Sequence, residues 1–409
     1  GCMCVFSCYD IEHAVVDGYD VCLNKPHTSA YRAPGATQVA FAMEQVLDEI
    51  AEQLGICKLE IRQLNAAKEG MRRVDGPVFP RIGLVECLDA VAQSDHWNSP
   101  LEGENRGRGI GVGFWFGCGL KSSVSASVNH DGTVNLTEGS PDIGGTRTSI
   151  AMQLAEVLGI DTYDVIPQVA DTDSVGYTDV TGGSRVTFAT GLAAYEAGLD
   201  LQKQMVIRAA DLWECPVDEI TVEEGEFKGA GNSASFKELA QQLFKDGEPL
   251  VARASVAPDC ATNGFAVHIV DLEVDPETGK VTILRYTAVQ DAGKAIHPSY
   301  VEGQMQGGAV QGIGWALNEE YYFNDDDTMD NASFLDYRMP TMLDVPMIDT
   351  IIVEAANPDH PYGVRGVGEP PIIPPPAAIA NAMSEAISKR FYDLPMSPPK
   401  VWKALSETS

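Results

Sequence analysis

The tightest constraint on this chain's backbone lies at residues 362–376, YGVRGVGEPPIIPPP. Gly363, Gly366 and Gly368 precede Glu369, and five prolines, Pro370, Pro371, Pro374, Pro375 and Pro376, follow it. Each proline fixes φ and removes a donor, and each glycine permits a tight turn or a close backbone approach. A carboxylate between the two is therefore held on a stiffened loop in a crowded place. The bland alternative is a solvated Glu in a proline-rich linker. A linker is rarely followed at once by an apolar, alanine-rich helix, which residues 377–387 predict here.

The 409 residues allow two or three domains, and a hydrophobic content of 44% allows a large core. Lys and Arg number 28 against 59 Asp and Glu, and 28 − 59 = −31 disfavours a general nucleic-acid binder or adhesion to anionic membranes. A local basic pocket for an anionic cofactor stays open. The acidic clusters at 223–226 and 325–327 read as solvated loops. No apolar run is long enough for a membrane span, and the opening GCMCVFSCYD lacks the basic start of a secretory signal. It has no initiator Met and reads like the inside of something larger. Nine scattered cysteines suggest reduced, cytoplasmic usage more than a disulfide framework. Cys2, Cys4 and Cys8 read as half-buried strand residues rather than as a metal site.

Along the chain, residues 1–30 read as strands and turns, followed by an amphipathic helix over 39–54 that Gly55 caps. A second helix is expected over 56–69. A glycine-rich apolar stretch, RGRGIGVGFWFGCG, begins at Arg106 and marks a shift in composition. Strands follow at 123–128 and 133–137 around a His130–Asp131–Gly132 turn, with helices at 150–158, 187–209, 236–244 and 299–315. Residues 266–275 and 280–289 predict a hairpin, and a further strand falls at 350–355. Strands alternating with helices argue α+β or α/β.

Three glycine- and hydroxyl-rich loops feed helices, at 28–38, 139–149 and 181–187. Such loops present N–H groups suited to an anion, and Arg32, Arg147 and Arg185 lie within them. Neither a phosphate-binding GxxxxGK[ST] nor a dinucleotide fingerprint is present, and the seven histidines show no HExxH spacing. Gln304, Gln306 and Gln311 lie on EGQMQGGAVQGIGW. Its glycines suit either a large group packed against the backbone or a close contact between helices.

AYRAPGATQ, GSPDIGG, TGGSR, QDAGKAIHPSYVEGQMQGGAVQGIGWALNEE and GVGEPP, in this order, resemble the molybdenum-binding large subunit of the xanthine oxidase (molybdenum hydroxylase) family. The resemblance covers residues 20–390. It implies an α+β fold of molybdopterin-binding domains with mixed sheets and packed helices. Residues 1–105 would be the C-terminal part of a first such domain and 106–409 a second. It implies a pterin dithiolene that holds molybdenum, in the plain or the cytosine dinucleotide form, with no side chain as a direct metal ligand. Glu369 would be the general base for a water-derived hydroxyl attacking an electron-poor carbon. Arg32 would face the substrate and stabilise developing negative charge. Ala33, Gly144, Gly145, Thr181, Gly182, Gly183, Ser184, Arg185, Gln304 and Gly368 would surround the cofactor.

The sequence departs from the family at Gly145, where relatives carry a pterin-contacting Gln, and at Pro34, where some carry a stacking aromatic. The Cys of the copper-containing carbon monoxide dehydrogenases is missing from AYRAPG. The chain also opens late, so either the molybdenum subunit is split and a complementary N-terminal molybdenum-subunit chain exists, or this chain is one piece of that subunit. With no 2Fe–2S cysteine spacing and no FAD signal, electrons would leave through 2Fe–2S and FAD partner subunits. The expected activity is hydroxylation of an N-heteroaromatic small molecule such as nicotinate or a purine. An aldehyde oxidoreductase of the same family, a non-catalytic scaffold subunit and a sugar- or nucleotide-binding module are the alternatives.

Overall fold

In a computed structural model, which describes residues 1–247, 249–258 and 263–407, the chain divides into two compact units. Unit 1 comprises Gly1–Phe116, Asn263–Pro358 and Val367–Ser409, and unit 2 comprises Gly117–Thr262 and Asp359–Gly366. The first helices are α1 (Ala36–Leu54), α2 (Lys58–Asn65), α3 (Leu84–Gln93) and the single turn α4 (Asp95–Asn98). Then come β1 (Arg106–Trp115), β2 (Ser122–Val128), β3 (Val134–Glu138), α5 (Thr146–Leu158), β4 (Val165–Val169), the short α6 (Thr172–Val175) and α7 (Gly191–Leu212). Strands β5 (Thr221–Glu223), β6 (Glu226–Gly229) and β7 (Asn232–Ser235) precede α8 (Phe236–Asp246) and β8 (Val251–Val256). The last elements are β9 (Gly264–Val274), β10 (Val281–Asp291), α9 (Pro298–Leu317), β11 (Ile348–Val353), α10 (Pro375–Ile387) and α11 (Pro398–Ser406).

Unit 1 is built on a mixed sheet in the order β1-β9-β10-β11. The hairpin expected near 266–289 is its antiparallel β9–β10 pair, and β11 joins β10 in parallel. The glycine-rich shift at Arg106 now has a physical reason. Gly107, Gly109, Gly111 and Gly113 alternate along β1 and so share one face. Helix α10 lies against that face. A Cβ at Gly109 would stand 1.9 Å from the Ala378 carbonyl oxygen, and one at Gly107 would stand 2.0 Å from that of Ala382. The sheet therefore seats the helix that follows the Glu369 loop at backbone contact.

Helix α1 starts after Gly35 and ends at Gly55, both left-handed, and the Gly55 N–H bonds back to Ala51 and Glu52. Its buried Glu44 carboxylate accepts from Val112 N–H at 3.0 Å, from Arg62 Nε at 2.9 Å and from the Tyr9 hydroxyl. Arg62 also pairs with Asp48 at 2.8 Å. This polar knot sits within an apolar core that includes Leu47, Leu59, Leu84, Leu88, Phe114 and Phe265. It joins α1 and α2 to β1.

The strands expected in residues 1–30 do not form. Residues 2–8 are turns, and the one bridge there pairs Tyr9 with Ala66. Residues 12–31 are exposed throughout, and strands without a sheet to extend are marginal in water. Cys4 and Cys8 are buried in those turns rather than on a strand, while Cys2 is exposed. Among the described residues no two cysteines are joined by a disulfide, and Cys260 lies outside them.

Unit 2 carries a four-stranded sheet ordered β4-β3-β2-β8 and a small sheet β5-β6-β7. Its core gathers Val124, Leu136, Ile150, Leu154, Leu201, Phe227 and Leu239. Helix α8 opens on a capping box between Ser235 and Glu238. Among the described residues no helix is long and apolar enough to cross a membrane.

Candidate functional site

In unit 1 the stiffened loop and the AYR segment meet. The Ala33 N–H donates to Glu369 Oε1 at 3.2 Å. Ala33 is fully buried and adopts φ 55°, and Gly35 has φ 80°. These left-handed residues turn the chain so that its amide points at the carboxylate rather than along a helix. Arg32 Nε donates to the Gly368 carbonyl, one residue before Glu369. Arg32 Nη1 donates to Gln311 Oε1 at 3.0 Å, and Nη2 donates to the Gln304 carbonyl at 3.0 Å and to Gln304 Oε1 at 3.3 Å. Burial pulls the guanidinium down to about 10, against the opposing pull of Glu369 and Tyr31. Arg32, Ala33, Gln304, Gly368 and Glu369 thus come together as one cluster.

Helix α9 shows which of the two readings of its glycines applies where. Gly308 and Gly312 are packing positions, because a Cβ there would lie 2.6 Å from Pro371 and 2.6 Å from Pro375 respectively. A Cβ at Gly303 would meet nothing within 4 Å, and one at Gly307 only Arg32 Nη1 at 4.0 Å. The helix therefore leans on the proline run with one face and leaves a smooth stripe beside Gln304 on another. The three glutamines do not act together. Gln306 Nε2 donates to the Ile348 carbonyl at 3.3 Å, away from Arg32. Residue-type reasoning missed Gln290, which is fully buried on β10 and donates to the Val367 carbonyl at 3.1 Å. A lone Gln in an apolar strand carries no sequence signal for that bond.

The remaining expected residues lie in unit 2. Gly144 (φ 61°) and Gly145 (φ 81°) are left-handed and lead into α5. This helix start is already capped by the chain itself. Asp142 Oδ1 accepts the Arg147 N–H at 3.1 Å, and its other oxygen lies 3.3 Å from Arg147 Nε. In the second loop, a Cβ on Gly182 would meet nothing within 4 Å, and the buried Thr181 Oγ1 has no hydrogen-bond partner among the described residues. Gly183 (φ 75°) and Ser184 (φ 57°) turn the loop, and the Gly183 carbonyl accepts from Cys118 N–H at 2.9 Å. A Cβ on Gly183 would lie 2.5 Å from Cys118 Sγ, so glycine is required there twice over. Arg185 is fully buried and donates to the carbonyls of Gly119 at 2.9 Å, Asp179 at 3.1 Å and Lys121 at 2.5 Å. It staples its own loop rather than presenting charge to an anion.

At the end of β3 the buried Glu138 feeds the 139–149 loop, and its Oε2 accepts the Ser140 N–H at 2.6 Å. Burial pushes its carboxyl up from 4.5 to about 7, the Ser140 amide opposing. The folded state therefore keeps a proton that the unfolded chain has released. With respect to this group, stability is highest below about pH 4.5 and declines as pH rises through about 7. The decline amounts to about 3 kcal/mol at most. Denaturant unfolding across that window should show the slope in the parent protein and lose it in Glu138→Gln.

Comparison with known proteins gives the following matches. A family model described as molybdopterin cofactor-binding domain matches residues 88–346, and a second of the same description matches residues 1–66. The xanthine dehydrogenase molybdenum-binding subunit of Escherichia coli O157:H7 is 33% identical over 403 residues, covering 93% of this chain and 54% of that protein. The 6-hydroxypseudooxynicotine dehydrogenase complex subunit gamma of Paenarthrobacter nicotinovorans is 31% identical, over 95% of this chain and 53% of its own length. The crystal structure of quinoline 2-oxidoreductase from Pseudomonas putida 86 superposes with a TM-score of 0.82 at 25% identity, over 92% of this chain and 53% of that one. The chain spans about half the length of the relatives it matches.

Proposed function

Because this chain belongs to the molybdopterin cofactor-binding family, homologous to the large subunits of the xanthine oxidase group of molybdenum hydroxylases, we propose that it is the catalytic part of a molybdenum hydroxylase. The substrate we infer is a small N-heteroaromatic molecule, hydroxylated with oxygen from water. Supporting this, three of the matched proteins are named for xanthine, 6-hydroxypseudooxynicotine and quinoline, each of which carries a nitrogen heteroaromatic ring, while others are named aldehyde oxidoreductase and carbon monoxide dehydrogenase. The observation that carries the reading is the Glu369 carboxylate, fixed by the Ala33 N–H beside the open glycine stripe of α9.

The residues present fit a pterin. Gly303 leaves room that a side chain would fill, and the neighbouring Gln304 keeps amide N–H donors while its oxygen accepts from Arg32. In unit 2, Gly182 leaves similar room and Thr181 offers an unsatisfied hydroxyl. We assign Ala33, Gln304 and Gly368 of unit 1 to a cofactor's surroundings; within unit 2, Gly144, Gly145, Thr181, Gly182, Gly183 and Ser184 are a separate candidate for cofactor contact, while Arg185 is committed to its own loop. When bound, the molybdenum–pterin group supplies a two-electron redox centre. Glu369 takes the proton from the attacking water-derived oxygen, and Ala33 N–H holds Oε1 in place while it does so. Arg32 places a positive charge near that carboxylate, and Glu369 in turn favours the charged guanidinium.

We infer that residues 1–105 continue a first molybdopterin-binding domain and that 106–409 form a second. 2Fe–2S and FAD subunits would carry electrons away, in the cytoplasm that the cysteine usage favours. Metal and pterin analysis of the purified full assembly tests the proposal. Stoichiometric molybdenum with a released pterin is expected. A folded, complete assembly that holds neither would favour the scaffold reading instead.

A further inference from the structure

The structure assigns Arg32 a role other than substrate contact: we propose that it is a positioning residue, a guanidinium clamp that fixes the Gly368–Glu369 peptide against α9, with Gln311 as its second anchor. The acceptors make the case. Nε is committed to the Gly368 carbonyl, Nη1 to Gln311 Oε1 and Nη2 to both oxygens of Gln304. All are neutral protein groups, whereas an arginine kept for an anionic ligand presents its fork outward. The guanidinium is mostly removed from water, so each bond it makes inside the protein matters more than it would at the surface.

The surrounding residues serve the same geometry. Gln304, Gly307, Gln311 and Trp315 follow one another at three- and four-residue steps, which places them in one stripe along α9. Segment 31–33 runs along that stripe. Tyr31 stacks on Trp315 with ring centroids 5.1 Å apart, and Arg32 spans Gln311 to Gln304 past the bare Gly307. The next amide, Ala33, then reaches Glu369. The clamp and the amide grip two consecutive residues, the Gly368 carbonyl and the Glu369 side chain. A lysine cannot replace it, because one ammonium with three donors on a flexible stem cannot serve four acceptor atoms spread over three residues.

The kinetic part of this inference rests on Glu369 being the base, whereas the conformational part does not. Hydrogen–deuterium exchange of the assembled enzyme, read on peptides covering 362–373, tests the latter. Arg32→Ala should speed exchange at 366–369 by about tenfold or more, and Arg32→Lys should not restore the parent rate. Gln311→Met, which keeps the shape and removes one acceptor, should speed it by a smaller factor and guards against a folding failure of the arginine variants. In turnover, both Arg32→Ala and Gln311→Met should lower kcat with KM nearly unchanged, and added guanidinium ion should partly restore Arg32→Ala. Unchanged exchange at 366–369 in Gln311→Met, or a raised KM with kcat retained in Arg32→Ala, would overturn the clamp. If exchange responds while Glu369→Gln keeps full turnover, the clamp stands and the base assignment falls.

Discussion

Glu369→Gln should lower kcat by a factor of about 10² to 10⁴ while molybdenum and pterin contents stay at parent levels. The substitution is chosen for what it keeps. Glutamine presents a carbonyl oxygen where Oε1 accepts the Ala33 N–H at 3.2 Å, so the loop retains its contact with the left-handed turn. It also keeps the volume, so the proline run can still lean on Gly308 and Gly312 of α9. What disappears is basicity: a carboxamide cannot take a proton near neutral pH. Steady-state turnover with an artificial electron acceptor, alongside metal analysis on the same sample, separates the two effects. A variant that turns over at the parent rate removes Glu369 from the chemistry. A variant that loses its metal makes Glu369 a cofactor-retention residue instead.

The second large effect is expected in folding. Gly109→Ala places a methyl group 1.9 Å from the Ala378 carbonyl oxygen and 2.4 Å from the Ala382 amide nitrogen. Both are backbone atoms of α10, which no rotamer change can move aside. The helix must lift from the sheet or β1 must buckle, at a cost of about 3 kcal/mol or more and a fall in Tm of roughly 5–10 °C. The loss should be read from thermal or denaturant unfolding of the intact protein. Gly303→Ala is the matched control on α9, where a new methyl group meets nothing within 4 Å. An added helix former there should leave stability unchanged or raise it slightly. If the two variants are equally stable, the backbone-contact account of the glycine stripe is wrong.

How much of this could be read from residues alone differs from place to place. The helices at 36–54, 298–317 and 375–387 and the β9–β10 hairpin follow from periodicity and turn residues, which are local properties. The Glu369 loop was legible because proline and glycine act on their own backbone. The Arg32–Gln311 bond was not, since its partners stand 279 positions apart and each reads from the sequence as a group for a ligand rather than for the other. Arg185 shows the opposite failure. An arginine in a glycine-rich loop suggests an anion, yet its donors are taken up by three carbonyls of its own unit. Residues 1–30 have strand-forming composition, but strand formation depends on a partner that composition does not reveal.

The charged knot of Glu44, Arg62 and Asp48 also bears on how the molecule comes apart. Helix α2 has only eight residues and would melt readily in isolation. Lifting it away would strand two carboxylates in apolar surroundings, a state with no cheap intermediate. That corner should therefore open only when the whole of unit 1 gives way, so a protease nicking the exposed Leu54–Gly55 junction would find the severed helix still held in place.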